Sequence, residues 1–372
     1  MSLQIIAGPS GSGKSTYAYQ SVIEEAIQYP DRHYIIIVPD QFSMSTTREI
    51  CRLHPAGGIM NIEVLSFSRL CYRIGDEVGS GNRAVLDDTG KNLILRRVAL
   101  SMEQQLTFLK GRMKRPGYVH EVKSQISEFY QYDISDGDLE AMINASKDRG
   151  YLNQKLADLR LLYKGFSDYI RDKYITTEEA LSELARMIPK SDLLAGSTVL
   201  FDNFTGFTPV QDKVIRQLLL CCRKVSVTLC LGQKKDEKLF TLTHKSYEKL
   251  IRLAGDLKVS VLPEVRLPQD NAVRYQEHDS MAFLEQNLLR GGGRTYKKAA
   301  EGIRIYEAAS ARDEVQWCCR RINELIRQGY EYRQIAIETG DLEGYGNLLS
   351  YELGRFGIPY YMDLRRSVMQ NP

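Results

Sequence analysis

The chain opens on a short apolar run, Leu3 to Ala7, that ends at Gly8. From Lys14 the apolar positions recur at helical spacing to about Tyr29, where Pro30 stops the element. Ile35-Ile36-Ile37-Val38 is a continuous apolar run closed by Pro39, and Ile62 to Leu65 reads the same way. A strand that is apolar on both faces is what a parallel sheet covered by helices requires, so this opening stretch predicts alternating strands and helices of the doubly wound α/β kind. From about Ala84 the character changes. Helix-period stretches follow one another to Ile188, clearest at Val119 to Tyr132 and Tyr151 to Tyr174, and Thr177-Glu178-Glu179 opens another, with no strand expected between them. Strands resume at Ser197 to Phe201 and Val225 to Leu231, and Thr208-Pro209 starts the helix between them.

The pattern therefore predicts a sheet domain split by a helical insertion. Its first half is expected over 1–82, the insertion over 83–195 and the second half over 196–290. Gly291-Gly292-Gly293, followed by Arg294, Lys297 and Lys298, reads as a flexible basic linker over 291–302. A second α/β rhythm then starts over 303–372. Ile303 to Tyr306 and Ile335 to Glu338 are strand-like, and Ala311 to Arg327 and Tyr345 to Phe356 are helical until Gly357. The chain stops at Asn371-Pro372 a few elements into that rhythm and reads as part of something longer.

Composition narrows the class only a little. At 372 residues the chain exceeds what one hydrophobic core usually holds, and 43% hydrophobic with 26% charged residues is the globular average. No apolar run reaches the ~20 residues a membrane helix needs, and the N-terminus lacks the features of a signal peptide, so no membrane is expected and a cytoplasmic location is. The net charge of +3 permits nucleic acid as a partner without arguing for it. Cys51, Cys71, Cys221, Cys222, Cys230, Cys318 and Cys319 form no CxxC pair and no matched histidine spacing, which leaves zinc and iron–sulfur clusters unsupported and buried free thiols expected.

The candidate chemistry lies in Gly8-Pro9-Ser10-Gly11-Ser12-Gly13-Lys14-Ser15-Thr16, which fits G-x-x-x-x-G-K-[ST] without a mismatch and sits between a strand and a helix. Glycines let the backbone N–H groups curl inward, the helix N-terminus adds partial positive charge, Lys14 reaches the β- and γ-phosphates, and Ser15 ligates magnesium. ATP and Mg2+ are the cofactors this predicts. A second magnesium partner is expected at the end of another strand, where Val199-Leu200-Phe201-Asp202 supplies Asp202. Asn203 stands where P-loop motors carry the glutamate that orients the attacking water, and an amide cannot take a proton, so hydrolysis is expected to be slow or negligible and no residue to be a competent base.

Four stretches in this order, IIAGPSGSGKST, IIIVPDQFSMSTTREI, VLSFSRLCYRI and VLFDNFTGFTPVQ, resemble the N-terminal part of the AddB family, which pairs with AddA in the bacterial AddAB (RexAB) helicase–nucleases. A fifth, from YEAASARDEV to GIPYY, looks like the entry to the second RecA-like domain of UvrD-type helicases. The resemblance covers nearly the whole chain. It implies a RecA-like P-loop fold of UvrD-type architecture, in a subunit that processes double-strand breaks for homologous recombination. Further implications are an AddA-like motor and nuclease subunit as partner in a heterodimer, and a pseudo-helicase that does not translocate and reads the Chi sequence in single-stranded DNA. The family's C-terminal nuclease, its iron–sulfur cluster and the later helicase motifs are not expected in these residues.

In that architecture single-stranded DNA crosses the loops after the strands. This makes Gln41, Phe42, Ser43 and Met44, then Ser66, Phe67, Arg69 and Tyr72, then Phe204, Phe207 and Thr208, the candidate DNA contacts. Against this, a phenylalanine just past a strand is commonly core packing. The basic run Lys110, Arg112, Lys114 and Arg115 is a further phosphate candidate, although such runs are commonly solvated faces. Two other classes share the loop. A P-loop kinase of a small metabolite is usually compact, which the long insertion and the second α/β start disfavour; a scaffold with a vestigial P-loop differs by not binding nucleotide.

Overall fold

The computed structural model describes residues 1–79, 84–171, 173–232, 238–268, 273–290 and 293–362. The expected boundary at 82–83, Gly291 and Gly292 of the expected linker, and the stretch 363–372 lie outside the described residues. The chain divides into two compact units, Met1–Lys297 and Lys298–Pro372.

In the first unit the order is β1 (Ser2–Gly8), α1 (Lys14–Gln28), β2 (Tyr34–Ile37), α2 (Ser43–Leu53), β3 (Ile62–Leu65) and α3 (Phe67–Val78). Then come β4 (Ala84–Leu86), α4 (Asp88–Ser101), α5 (Pro116–Gln131), α6 (Asp136–Ala145), α7 (Gly150–Ile170), β5 (Tyr174–Thr176) and α8 (Thr177–Met187). The unit continues with β6 (Thr198–Phe201), α9 (Pro209–Cys221), β7 (Lys224–Cys230), α10 (Thr241–Asp256), β8 (Ser260–Val261), β9 (Val265–Arg266) and α11 (Asp279–Asn287).

Among the described residues the main sheet has seven strands in the order β3-β2-β6-β7-β1-β8, with β9 also on β1, and every pair is parallel. Strand residues alternate between two cores, as the pleat demands. Leu3, Ile5, Ile35, Ile37, Val199, Phe201, Val225 and Val227 meet α3, α8, α9 and α10 on one face, while Ile6, Tyr34, Ile36 and Leu200 meet α1 and α2 on the other. Both faces are covered, which is why these strands read as unbroken apolar runs. The register aligns Gly8 with Cys230 and Ile37 with Phe201, so the loops after β1, β6 and β7 leave from one edge. The fold is α/β with a parallel, doubly covered sheet, compatible with a RecA-like domain.

Two departures from the sequence reading stand out. β4 and β5 form a short parallel ladder, Ala84 to Tyr174 through Leu86 to Thr176, in a stretch expected to hold no strand; three residues are too few to show an alternation. The helices α4, α5 and α7 have their own core, including Leu95, Val98, Leu162 and Phe166. By contrast Leu184, Ala185, Met187 and Ile188, at the end of the segment expected to be insertion, pack into the core of the sheet.

The second unit holds α12 (Ala311–Arg327) and α13 (Leu342–Arg355) around Val315, Cys319, Ile322, Leu349, Leu353 and Ile358. Ile303 to Tyr306 and Ile335 to Glu338, expected as strands, form none, and Ile305 is 97% exposed. A strand exists through its ladder, and neither run is paired with a neighbour among the described residues. No described helix is long and apolar enough to cross a membrane.

A candidate nucleotide site at the carboxyl edge of the sheet

The turn from β1 into α1 depends on glycine. Gly11 and Gly13 stand at φ 76° and 84°, in the left-handed region that side chains disfavour. A Cβ on Gly8 would lie 2.6 Å from the Ser12 hydroxyl, and one on Gly11 would lie 2.8 Å from the Tyr275 ring. Gly13 caps α1 with no side-chain hydrogen bond, so the N–H groups of the first turn are left to face the loop with the positive end of the helix dipole behind them. Within this concavity the Ser12 hydroxyl is buried without a partner among the described residues. An anion would satisfy these donors.

Lys14 folds back over the loop, its ammonium donating to the Pro9 carbonyl oxygen at 2.7 Å. Burial holds its pKa below the ordinary lysine value, against the opposing pull of Cys230 and Asp202 and with the Arg274 charge adding to the depression. A polyphosphate would relieve that penalty by pairing with the buried charge.

Asp202, at the end of β6, is 1% exposed. Its Oδ1 accepts from the Ser15 hydroxyl at 3.1 Å and from the Thr228 hydroxyl, and its Oδ2 accepts from the Tyr19 hydroxyl and from the Asn203 amide at 3.1 Å. Burial, then the Asp202 charge and its hydrogen bond, raise the Tyr19 phenol well above the ordinary tyrosine value. The Ser15 and Asp202 oxygens are hard donors beside a phosphate cradle, a set that fits magnesium. Asn203 is at φ 64°. A cavity of about 510 Å3 opens above these groups, lined by Gly13, Lys14, Ser15, Asp202, Cys230 and Arg274 among others. Pro9 is buried beneath the loop, while Ser10 and Thr16 are exposed at the cavity.

Residues 5–285 match the family described as ADDB, N-terminal. The chain belongs to the AddB family. It is 36% identical over its whole length to the AddB protein of Lachnoclostridium phytofermentans, a subunit of an ATP-dependent helicase/deoxyribonuclease, and 30% identical to the corresponding proteins of Clostridium tetani and Clostridium acetobutylicum. The alignments take in 33%, 33% and 32% of those relatives, so the chain spans about a third of the length of the curated AddB proteins it matches and corresponds to their N-terminal part.

The AddB-like loops expected at DNA divide into two groups. Gln41, Phe42 and Met44 are exposed around the start of α2, with Met44 at 70%, and Arg69 and Tyr72 are exposed on α3. The others have structural work. Ser43 is buried and donates to the Asp40 carbonyl oxygen; Ser66 is buried and accepts from the Arg69 amide as the cap of α3; Thr208 caps α9 in a reciprocal pair with Gln211. Phe67 is 7% exposed and packs on Phe201 and Phe204 at centroid separations of 5.7 and 5.6 Å, so its ring is core and is not free to stack on a base. Phe204 and Phe207 are half-buried against each other at 5.2 Å. In the basic run, Arg112 lies over the Phe108 ring and Lys114 is 3.5 Å from Glu103.

Sequence reading missed Tyr19, Thr228 and Arg274. Tyr19 had a signal, since it lies one helical turn after Ser15 and hence on the same face of α1. Thr228 had one too, as a hydroxyl inside a buried strand needs a partner. Arg274 had none: its amide reaches the Gly11 carbonyl oxygen at 3.2 Å from far along the chain.

Proposed function

We propose that the chain is the ATP- and DNA-binding N-terminal part of a helicase/nuclease subunit of UvrD-type architecture, which processes double-strand breaks for homologous recombination together with an AddA-like motor. The observation that carries the nucleotide reading is a buried carboxylate, Asp202, bonded to the P-loop hydroxyl of Ser15 below an uncapped helix N-terminus. In this reading the loop amides and Lys14 hold the β- and γ-phosphates, with Lys14 exchanging the Pro9 oxygen for phosphate. Ser15 and Asp202 hold Mg2+, which when bound neutralises charge on those phosphates. Asn203 supplies an amide where turnover needs a base, so the site binds far better than it hydrolyses.

A protein that holds nucleotide without stepping suits recognition of a single strand rather than translocation. The exposed Gln41, Phe42, Met44, Arg69 and Tyr72 offer stacking, hydrogen bonding and one fixed charge to such a strand, the mixture that reading a Chi-like sequence requires. The protein acts in the cytoplasm, where its DNA is.

Isothermal titration with ATP and Mg2+ tests the site. Charge-assisted hydrogen bonds contribute about 1.5 to 3 kcal/mol each, so Lys14→Ala is expected to weaken ATP binding roughly ten- to hundredfold. Equal affinity in both forms would leave a scaffold with a vestigial loop. In parallel, filter binding to single-stranded oligonucleotides is expected to show retention that falls with added salt; no retention even at low salt would remove the DNA assignment.

A further inference from the structure

Asp202 sits in an unusual electrostatic position: it is buried, yet all four of its bonded donors are uncharged, two hydroxyls on Oδ1 and a phenol and an amide on Oδ2. Burying a carboxylate is costly unless hydrogen bonds replace water, and the group keeps one orientation only if both oxygens are held. Two of the donors come from elements other than the P-loop and the Asp202 turn. Tyr19 stands on α1 one turn beyond Ser15, is itself 4% exposed, and has the Thr46 hydroxyl of α2 3.5 Å behind its own. Thr228 lies on β7, the strand between β1 and β6, and its hydroxyl reaches Asp202 on the face of the sheet that Ile6, Ile36 and Leu200 bury against α1 and α2.

We propose that Tyr19 and Thr228 are positioning residues for magnesium: they grip the Asp202 carboxylate from both sides and present Oδ1 toward Ser15, so that the metal meets a ligand held in one orientation. The proposal rests on the nucleotide reading above. Thr228 reaches the cavity beside Asp202, and Tyr19 lies behind the carboxylate in the α1 core. Both act through Asp202, as hydrogen-bonding partners of a metal ligand commonly do. Removing either donor leaves one carboxylate oxygen with a single bonded donor in a dry site and frees the group to rotate, which weakens metal binding while leaving the phosphate cradle intact.

The test compares ATP affinity in Mg2+ with ATP affinity in excess EDTA for the wild type, Tyr19→Phe and Thr228→Val. Phenylalanine keeps the ring in its core cluster with Val22, Ile36 and Ile50, and valine keeps the branched shape in β7. The wild type is expected to bind more tightly with Mg2+. Each variant is expected to lose roughly tenfold of that advantage, the low end of what such partners contribute, with its EDTA affinity unchanged. A magnesium advantage retained in both variants overturns the proposal, and so does an equal fall with and without the metal, which marks a purely structural role. A wild type that binds no ATP in either buffer overturns the nucleotide reading itself. Two variants guard against one failing to fold.

Discussion

Asn203 combines two properties that bear on hydrolysis. Its backbone is left-handed at φ 64°, a region that asparagine adopts at less cost than longer side chains do, and its amide donates to the Asp202 carboxylate. Installing the motor-type glutamate therefore does more than add a base: it loads the left-handed backbone, at about 1 to 2 kcal/mol, and sets a second carboxylate beside a buried first one. Asn203→Glu is accordingly expected to lower the melting temperature and to leave phosphate release within a few fold of the wild type, and a hundredfold rise would show that the missing base alone silences the site. The residues legible in advance were those adjacent in sequence, Gly8 to Ser15, because the loop's chemistry is fixed by contiguous spacing. Tyr19 and Thr228 carried only partial signals, a helical spacing and a buried hydroxyl, and it is tertiary packing that brings both onto Asp202. Phe67 was misread for the complementary reason: its position after β3 was right, but whether a ring there faces solvent or the core is decided by α3 packing onto Phe201.

At the scale of elements, α1 is fastened at both ends. Its N-terminus ends in the P-loop, and near its C-terminus Glu25 meets Arg223 at 2.6 Å and Lys224 at 2.9 Å, both at the start of β7. Burial alone would raise the Glu25 pKa, but the hydrogen bonds and charges of Lys224 and Arg223 outweigh it and hold the carboxyl below its ordinary value. A carboxylate depressed in the folded state contributes stability that is present above its unfolded pKa, about 4.3, and fades as pH falls through the folded value. Glu25→Gln should therefore melt a few degrees below the wild type near neutral pH, with the gap closing in acid. Thermal melts that show the same gap throughout would mean that the residue acts by shape and not by charge. The main strands and most helices were readable because buried parallel strands are unbroken apolar runs and helices carry a 3.6 period. β4 and β5 were not, because a three-residue ladder is set by its partner and not by its own pattern. Ile303 to Tyr306 shows the converse, an apolar alternation that stays unpaired.

On the scale of the molecule, every residue assigned to the nucleotide site, from Gly8 through Asp202 to Arg274, falls within the unit Met1–Lys297. That unit has a sheet covered on both faces and a separate helical core, the size at which a chain buries enough apolar surface to fold by itself. The unit Lys298–Pro372 differs in kind. Its described core is six buried side chains on two helices and the segment after them, and the apolar faces of Ile335, Ile337, Leu349 and Tyr360 line an open cavity of about 600 Å3. Small cores of this sort offset little of the conformational entropy lost on folding. Residues 1–297 made alone are thus expected to melt cooperatively and to bind ATP within about threefold of the full chain, a difference under 1 kcal/mol. Residues 298–372 made alone are expected to show no cooperative transition. Calorimetry and nucleotide titration on the two pieces decide the matter. A tenfold loss of ATP affinity in 1–297 would mean that the second unit contributes to the site, and a sharp melt in 298–372 would mean that its two helices suffice as a core.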